Sequence, residues 1–229
     1  KGMVSTLSNE EIFKHALAVI PDLQREIYIK WYDIPDYLRV AIQVIRLMNE
    51  EIGHSIISRG HLDFLDSKQL KYLSEEAELL KKNCLTVPKK AHRWNIASSE
   101  SKKFFNSSSF QNFIKTIFKE NKIKFNGKVN SNYNFYNEGE LAYPHIDIED
   151  FCINMIIMLK HNYNINDSSK LILYPMLSDP IELNLKPGDY IIFWAKTTVH
   201  ARTTLKKGEE VCIMSYGFPL KNLEILNGN

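Results

Sequence analysis

The spacing of hydrophobic positions changes near residue 125. Upstream of it, apolar residues recur at helical intervals. Ser8 and Glu11 match a capping box, Ile12, Leu17 and Ile20 follow, and Pro21 stops the run. Pro35 opens a longer stripe through Leu38, Ile42, Ile45, Leu47 and Ile52, predicted to stay helical to about Gly60. Residues 67–83 and 108–121 read as two further helices, and residues 85–96 between them are strand-like.

Downstream the texture is short β-type runs: 130–136, 141–148, 151–159, 170–174, 181–185, 190–194, 199–205 and 210–218. Turn chemistry separates them, in Asn137-Glu138-Gly139, Asn166-Asp167-Ser168, Pro187-Gly188-Asp189 and Lys206-Lys207-Gly208. Runs at this spacing predict a closed double-sheet jelly roll rather than alternating βα units. The class is therefore α+β. No repeat, low-complexity tract or flexible linker divides the chain, so residues 1–229 are expected to form a single catalytic domain. Residues 1–125 would be a mainly helical N-terminal layer and 126–229 the β-core.

Composition narrows the function only by exclusion. The chain has 229 residues, 44% hydrophobic and 24% charged, which is ordinary for a globular protein. A net charge of +2 with dispersed Lys residues argues against nucleic acid or an anionic membrane as partner. No apolar run approaches the roughly 18 residues of a membrane span. The start, Lys1-Gly2-Met3-Val4, lacks the apolar run of a secretion signal. Cys84, Cys152 and Cys212 are odd in number and widely spaced, which fits reduced thiols in a cytoplasmic protein better than a disulfide frame or a zinc site.

The candidate chemistry lies in three side chains. Residues two apart on a strand share a face, so His145 and Asp147 would project together, with His200 supplied by a later strand. Two imidazoles and one carboxylate on one face leave coordination positions open, as iron(II) chemistry with small cosubstrates requires. A His-x-acid pair alone is weak evidence, since 7 His and 27 acidic residues give about 0.8 such pairs by chance. His61-Leu62-Asp63 is a decoy of that kind, expected at the surface near a helix end.

The setting of the pair at 145 and 147 is more specific. Phe135-Tyr136-Asn137-Glu138-Gly139 precedes it, and Pro187-Gly188-Asp189 leads into the apolar run Tyr190–Trp194 ahead of His200. This order resembles the prolyl-hydroxylase-like branch of the Fe(II)/2-oxoglutarate-dependent oxygenases over roughly the last hundred residues. The resemblance implies a double-stranded β-helix core, a metal site of His145, Asp147 and His200, and Fe(II), 2-oxoglutarate and dioxygen as cofactor and cosubstrates. It implies hydroxylation of an unactivated C–H with release of succinate and carbon dioxide. Desaturation or cyclisation stays open, and Asp147 argues against the halogenating relatives.

The sequence departs from the family at the cation that holds the distal carboxylate of 2-oxoglutarate, because the corresponding position is Glu210. Arg202, two beyond His200, is the preferred substitute, with Glu210 as its expected neighbour across the hairpin; Lys160 is the second candidate. Asn132, Asn134 and Tyr136 share one strand face, and Asn134 and Tyr136 are candidates to contact the cosubstrate. Arg93 and Trp94 (with His92 beside them) and Trp194 are candidates to line the substrate side, and the helical N-terminus is the expected lid. An Arg93-held carboxylate points to a small, amino-acid-like substrate; a peptidyl, prolyl-type substrate is the alternative within the class. Outside it stand a cupin-type metal enzyme that does not use 2-oxoglutarate and a metal-free jelly-roll binding module. The oligomeric state is left open.

Overall fold

The structure is a computed structural model that describes residues 53, 55–86, 92–162, 168–175 and 179–226. The helices expected over 8–20 and from Pro35 to residue 52 lie outside these residues. In chain order the elements are β1 (Ile56–His61), α1 (Ser67–Lys81), β2 (Leu85–Thr86), β3 (Arg93–Ile96), α2 (Ser99–Phe105), α3 (Ser108–Glu120), β4 (Ile123–Phe125), β5 (Asn130–Tyr136) and β6 (Ala142–His145). There follow β7 (Ile153–His161), β8 (Leu171–Tyr174), β9 (Ile181–Leu183), β10 (Asp189–Phe193), β11 (Val199–Arg202), β12 (Val211–Phe218) and β13 (Leu223–Ile225).

An antiparallel sheet of seven strands runs β1-β10-β7-β12-β5-β3-β2, and a smaller one runs β6-β11-β8-β9. Alternation along the central strands sorts side chains between two cores. On β12, Cys212, Met214, Tyr216 and Phe218 join one apolar cluster, while Val211 and Ile213 join another. On β10, Tyr190 and Ile192 belong to the first, Ile191 and Phe193 to the second. The first cluster also holds Leu73 and Ala77 of α1, Phe104 of α2 and Phe110, Ile114 and Phe118 of α3. The second holds Leu171 and Leu173 of β8 and Leu183 of β9 from the smaller sheet. The described helices therefore cover the outer face of the large sheet, and its inner face meets the small sheet to close the double-stranded β-helix.

Two sequence expectations change here, and the strand-like reading of 85–96 holds. Residues 56–61 form a strand, not the end of a helix: they pair with β10 from Ile56↔Phe193 to His61↔Asp189. The segment 85–96 supplies two short strands that extend the large sheet beyond β5. The described helices are no lid, because the strand faces that pack on them point away from the interior of the β-helix.

A buried carboxylate fixes the helical layer. Glu76 of α1 accepts hydrogen bonds from the backbone N–H of Ser98, Glu100 and Ser101 at 3.1, 2.7 and 3.3 Å, and from the Tyr133 hydroxyl at 2.8 Å. It thus satisfies the orphan donors at the start of α2 and ties α1 to β5. Burial raises its pKa, but these bonds more than offset that and hold it below the ordinary carboxylate value. The Lys186–Asp189 turn is built as its sequence predicts. Gly188 sits at φ +90°, and the Asp189 carboxylate accepts from Lys186 N–H at 2.8 Å.

Candidate metal centre and its cavity

β6 and β11 are antiparallel neighbours with His145 directly opposite His200. Side chains of opposed residues meet, and the two imidazole centroids lie 4.3 Å apart. Asp147 follows the end of β6, where its N–H donates to Ala195 O at 2.9 Å and carries the carboxylate back under the rings. Its Oδ1 is 3.5 Å from His145 Nε2 and 3.6 Å from His200 Nε2. Ligand atoms of the three residues all fall within 4.8 Å of one another, the one such group among the described residues.

Local hydrogen bonds prepare each ligand. His145 Nδ1 bonds Tyr143 O at 2.6 Å, and His200 Nδ1 bonds Thr198 O at 3.1 Å. A carbonyl can only accept, so each Nδ1 carries the proton and each Nε2 presents its lone pair to the centre. Asn154 on β7 donates from Nδ2 to Asp147 Oδ2 at 2.8 Å, leaving Oδ1 toward the imidazoles. Burial, with His145 adding to it, pushes the His200 imidazole down to about 4, so it is neutral and ready to ligate. At His145 burial acts the same way, but the Asp147 carboxylate outweighs it and raises the pKa. Asp147 is held below its ordinary value: burial opposes ionisation, and His200, His145 and Asn154 overcome it.

The three ligands open onto a cavity of about 290 Å³ between the sheets. Arg202 lies in its wall, 2% exposed, donating to Ser169 Oγ at 3.2 Å with its guanidinium 5.4 Å from the Tyr136 ring. Glu209 reaches it only through Ser169, whose N–H and hydroxyl bond the Glu209 carboxylate at 2.8 and 2.6 Å. Among the described residues no carboxylate pairs directly with Arg202. Burial lowers its pKa, with Tyr136 and Glu209 opposing, but an arginine stays charged. A buried cation of this kind favours an anionic ligand.

The other expected residues divide. Asn132, Asn134 and Tyr136 line the cavity as their parity predicts, and Tyr133 and Phe135 turn to the helical side. Trp94 also lines it, together with His92, which stacks on Tyr136 at 4.9 Å. Arg93, one residue along β3, faces elsewhere, its Nε 3.3 Å from Glu140 Oε1. Trp194 is core, in the cluster beneath the helices. Lys160 is outside the cavity and pairs with Glu210 at 2.6 Å. Glu210 is not the neighbour of Arg202: it bridges Lys160 and Lys81, and the buried carboxylate on the Arg202 side is Glu209. His61 is an exposed strand-end residue bonded to Asp189, and His161 is buried against Glu209 at 2.8 Å, away from the metal ligands. Ser169 and Asn154 are functional positions beyond those the sequence motifs mark. Strand parity alone would have turned Asn154 toward the cavity, whereas Ser169 carries no such signal.

No protein-family model and no curated protein matches the sequence. Solved structures do. A prolyl-4-hydroxylase from Pseudomonas putida is similar with a TM-score of 0.60 and 11% identity, over 78% of this chain and 98% of that one. A prolyl hydroxylase from Trichoplax adhaerens, solved with a peptide fragment of a hypoxia-inducible factor, gives 0.55 and 16%, over 78% and 88%. A non-haem α-ketoglutarate-dependent epimerase from nogalamycin biosynthesis gives 0.51 and 12%, over 77% and 80%. The chain therefore has the double-stranded β-helix fold of the 2-oxoglutarate Fe(II) oxygenases.

Proposed function

We propose that this protein is a non-haem iron(II) oxygenase that uses 2-oxoglutarate and dioxygen to oxidise an unactivated C–H of an organic substrate. One observation carries the reading. A two-imidazole, one-carboxylate group with its Nε2 and Oδ1 atoms turned inward shares a cavity with a buried arginine that has no direct counter-ion among the described residues. The donor set suits iron(II), and the guanidinium suits the far carboxylate of a dicarboxylate cosubstrate.

His145, Asp147 and His200 would hold the metal, and Arg202, backed by Ser169 and beside Tyr136, would hold the cosubstrate. Asn134 stands with Tyr136 on that wall. Iron with its two cosubstrates supplies oxidation of a C–H bond, coupled to conversion of 2-oxoglutarate to succinate and carbon dioxide. The chain's own contribution is placement. Asn154 fixes the carboxylate, the Tyr143 and Thr198 carbonyls fix both imidazole tautomers, and Ile156, Leu171 and Ile213 keep the cavity wall apolar. A cupin-type reading would gain from a third histidine, but His92 is not among the grouped ligand atoms and His161 is engaged with Glu209.

The test is to incubate the iron-loaded chain aerobically with uniformly ¹³C-labelled 2-oxoglutarate and follow labelled succinate by NMR. Succinate that forms with the wild type and is absent with His145→Ala is the expected result. Iron-dependent dioxygen consumption without succinate would overturn the reading in favour of a cupin-type enzyme.

A further inference from the structure

The cavity's charge inventory bears on the substrate. Among the described residues that line it, the ionic groups other than the metal-binding imidazoles are Asp147, committed to the metal, and Arg202, committed to the cosubstrate. The rest of the polar wall is uncharged: carboxamides of Asn132, Asn134 and Asn154, the hydroxyls of Tyr136 and Ser215, the Trp94 indole and His92. Burial, with His145 adding to it, pushes the His92 imidazole down to about 4 against the opposing hydrogen bonds of Asn134 and Leu141 and the Asp147 charge, so that ring is neutral too. Arg93, the cation expected from sequence to receive a substrate carboxylate, faces Glu140 instead. Nothing described in the wall would compensate the desolvation of a substrate carboxylate or ammonium, a cost of several kcal/mol per ion.

The same wall carries unmet hydrogen-bonding capacity. Among the described residues His92 Nδ1 and Asn154 Oδ1 are buried with no partner in hydrogen-bonding geometry. Asn134 Nδ2 makes long bonds, 3.3 Å to Asn132 Oδ1 and 3.4 Å to Ser215 Oγ, and its carboxamide also lies against the His92 ring. Buried polar atoms are rarely left unpaired, and a cluster of them on one cavity wall points to a ligand that pairs them. Side-chain amides and an imidazole together offer paired donors and acceptors, the complement of another amide. Trp94, Ile148 and Phe151 add apolar surface beside this wall, and Ile148 is 69% exposed. At about 290 Å³ the cavity is small for a ligand pocket and must also hold the cosubstrate, so only a compact group enters.

We propose that the substrate half of the cavity takes an uncharged, amide-bearing group with an adjoining apolar side chain, and that His92 is a substrate-recognition residue. This rests on the functional reading above. The test uses the full chain loaded with Zn(II) and 2-oxoglutarate, which does not turn over, and saturation-transfer NMR with four ligands on one scaffold. These are N-acetyl-L-leucinamide (neutral), L-leucinamide (cationic), N-acetyl-L-leucine (anionic) and L-leucine (zwitterionic). The neutral member should bind at least tenfold tighter than each of the others. Its affinity should fall at least tenfold in His92→Ala and recover in part in His92→Asn. Preference for a charged member, equal binding, or no binding by the neutral one overturns the proposal, and the wild-type series decides it even if His92→Ala fails to fold. A fifth ligand, N-acetyl-Gly-Leu-Gly-amide, separates the sources of the amide. Tighter binding than the single-residue diamide indicates a peptide chain, and equal binding a small metabolite; either supports the proposal. The visible chelate band of the iron(II)–2-oxoglutarate complex is recorded first. Its absence overturns the functional reading itself, whereas its presence with a failed ligand series overturns only the substrate class.

Discussion

Replacing Arg202 by alanine removes the one arginine or lysine among the described residues of the cavity wall and leaves the Asp147 carboxylate there. In the wild type the guanidinium is 2% exposed and is held by the Ser169 hydroxyl at 3.2 Å. A 2-oxoglutarate carboxylate entering the Arg202→Ala cavity would be desolvated without a partner. Truncating one member of a buried, hydrogen-bonded charge pair costs about 2–4 kcal/mol of binding, which is about 30- to 700-fold in Kd. Lys160→Ala is the control. Its side chain is 41% exposed and tied to Glu210, so 2-oxoglutarate affinity should stay within about twofold. The assay is calorimetric titration of the Zn(II)-loaded chains with 2-oxoglutarate, with circular dichroism confirming that each variant is folded. Arg202→Lys keeps the charge but loses the planar fork, and should fall between wild type and Arg202→Ala. An Arg202→Ala chain that binds within threefold of wild type, or a Lys160→Ala chain that loses binding, would refute the assignment of the anchor.

Three further outcomes follow from the geometry. Asn154→Leu frees Asp147 Oδ2 from its 2.8 Å donor, and iron(II) affinity measured by chelator competition should drop about 10-fold while the fold is kept. Asp147 raises the His145 pKa above the ordinary imidazole value of 6.5, and that proton must leave before metal binds. Iron(II) affinity should therefore be full at higher pH and weaken as pH falls through a range that begins above 6.5; a pH-independent affinity from 6 to 8 would count against it. Glu76 has a pKa below its ordinary 4.5, so its stabilisation is complete above that value and is lost as pH falls through the folded-state pKa. Glu76→Ala leaves three backbone N–H groups and the Tyr133 hydroxyl unpaired, costing about 3–5 kcal/mol at pH 7 by urea unfolding, and Glu76→Gln should flatten the acid limb of the stability curve.

The parts of this architecture that were legible in the sequence are those governed by period-2 alternation. Asn132, Asn134 and Tyr136 turn to the cavity and Tyr133 and Phe135 away because the face of a strand is set locally. The same rule, applied to β3, separates Trp94 from Arg93; treating the two as one group is what misplaced the arginine. The sequence of β1 looks helical because Arg59, Gly60 and His61 face solvent and break the alternation, while the pairing with β10 that makes it a strand is more than a hundred residues distant. α2 leaves no sequence signal because its run is short and polar and its N-terminus is anchored by Glu76, a side chain from another helix. Lys160 shares parity with Ile156 and Met158, yet the β7–β12 register slips between its partner Cys212 and Ile213, and it leaves the interior for Glu210. Alternation puts Asp147 on the strand with His145, whereas β6 ends at His145 and Asp147 is set by its bond to Ala195 O; the metal group forms all the same.

The most direct test of the central claim is an anaerobic titration of the metal-free protein, first with iron(II) and then with 2-oxoglutarate, read in the visible spectrum. The account predicts one iron per chain and a weak metal-to-ligand charge-transfer band that grows on adding 2-oxoglutarate, with neither seen in a chain carrying His145→Ala and Asp147→Ala. Iron bound at this site with no band at saturating 2-oxoglutarate would contradict it.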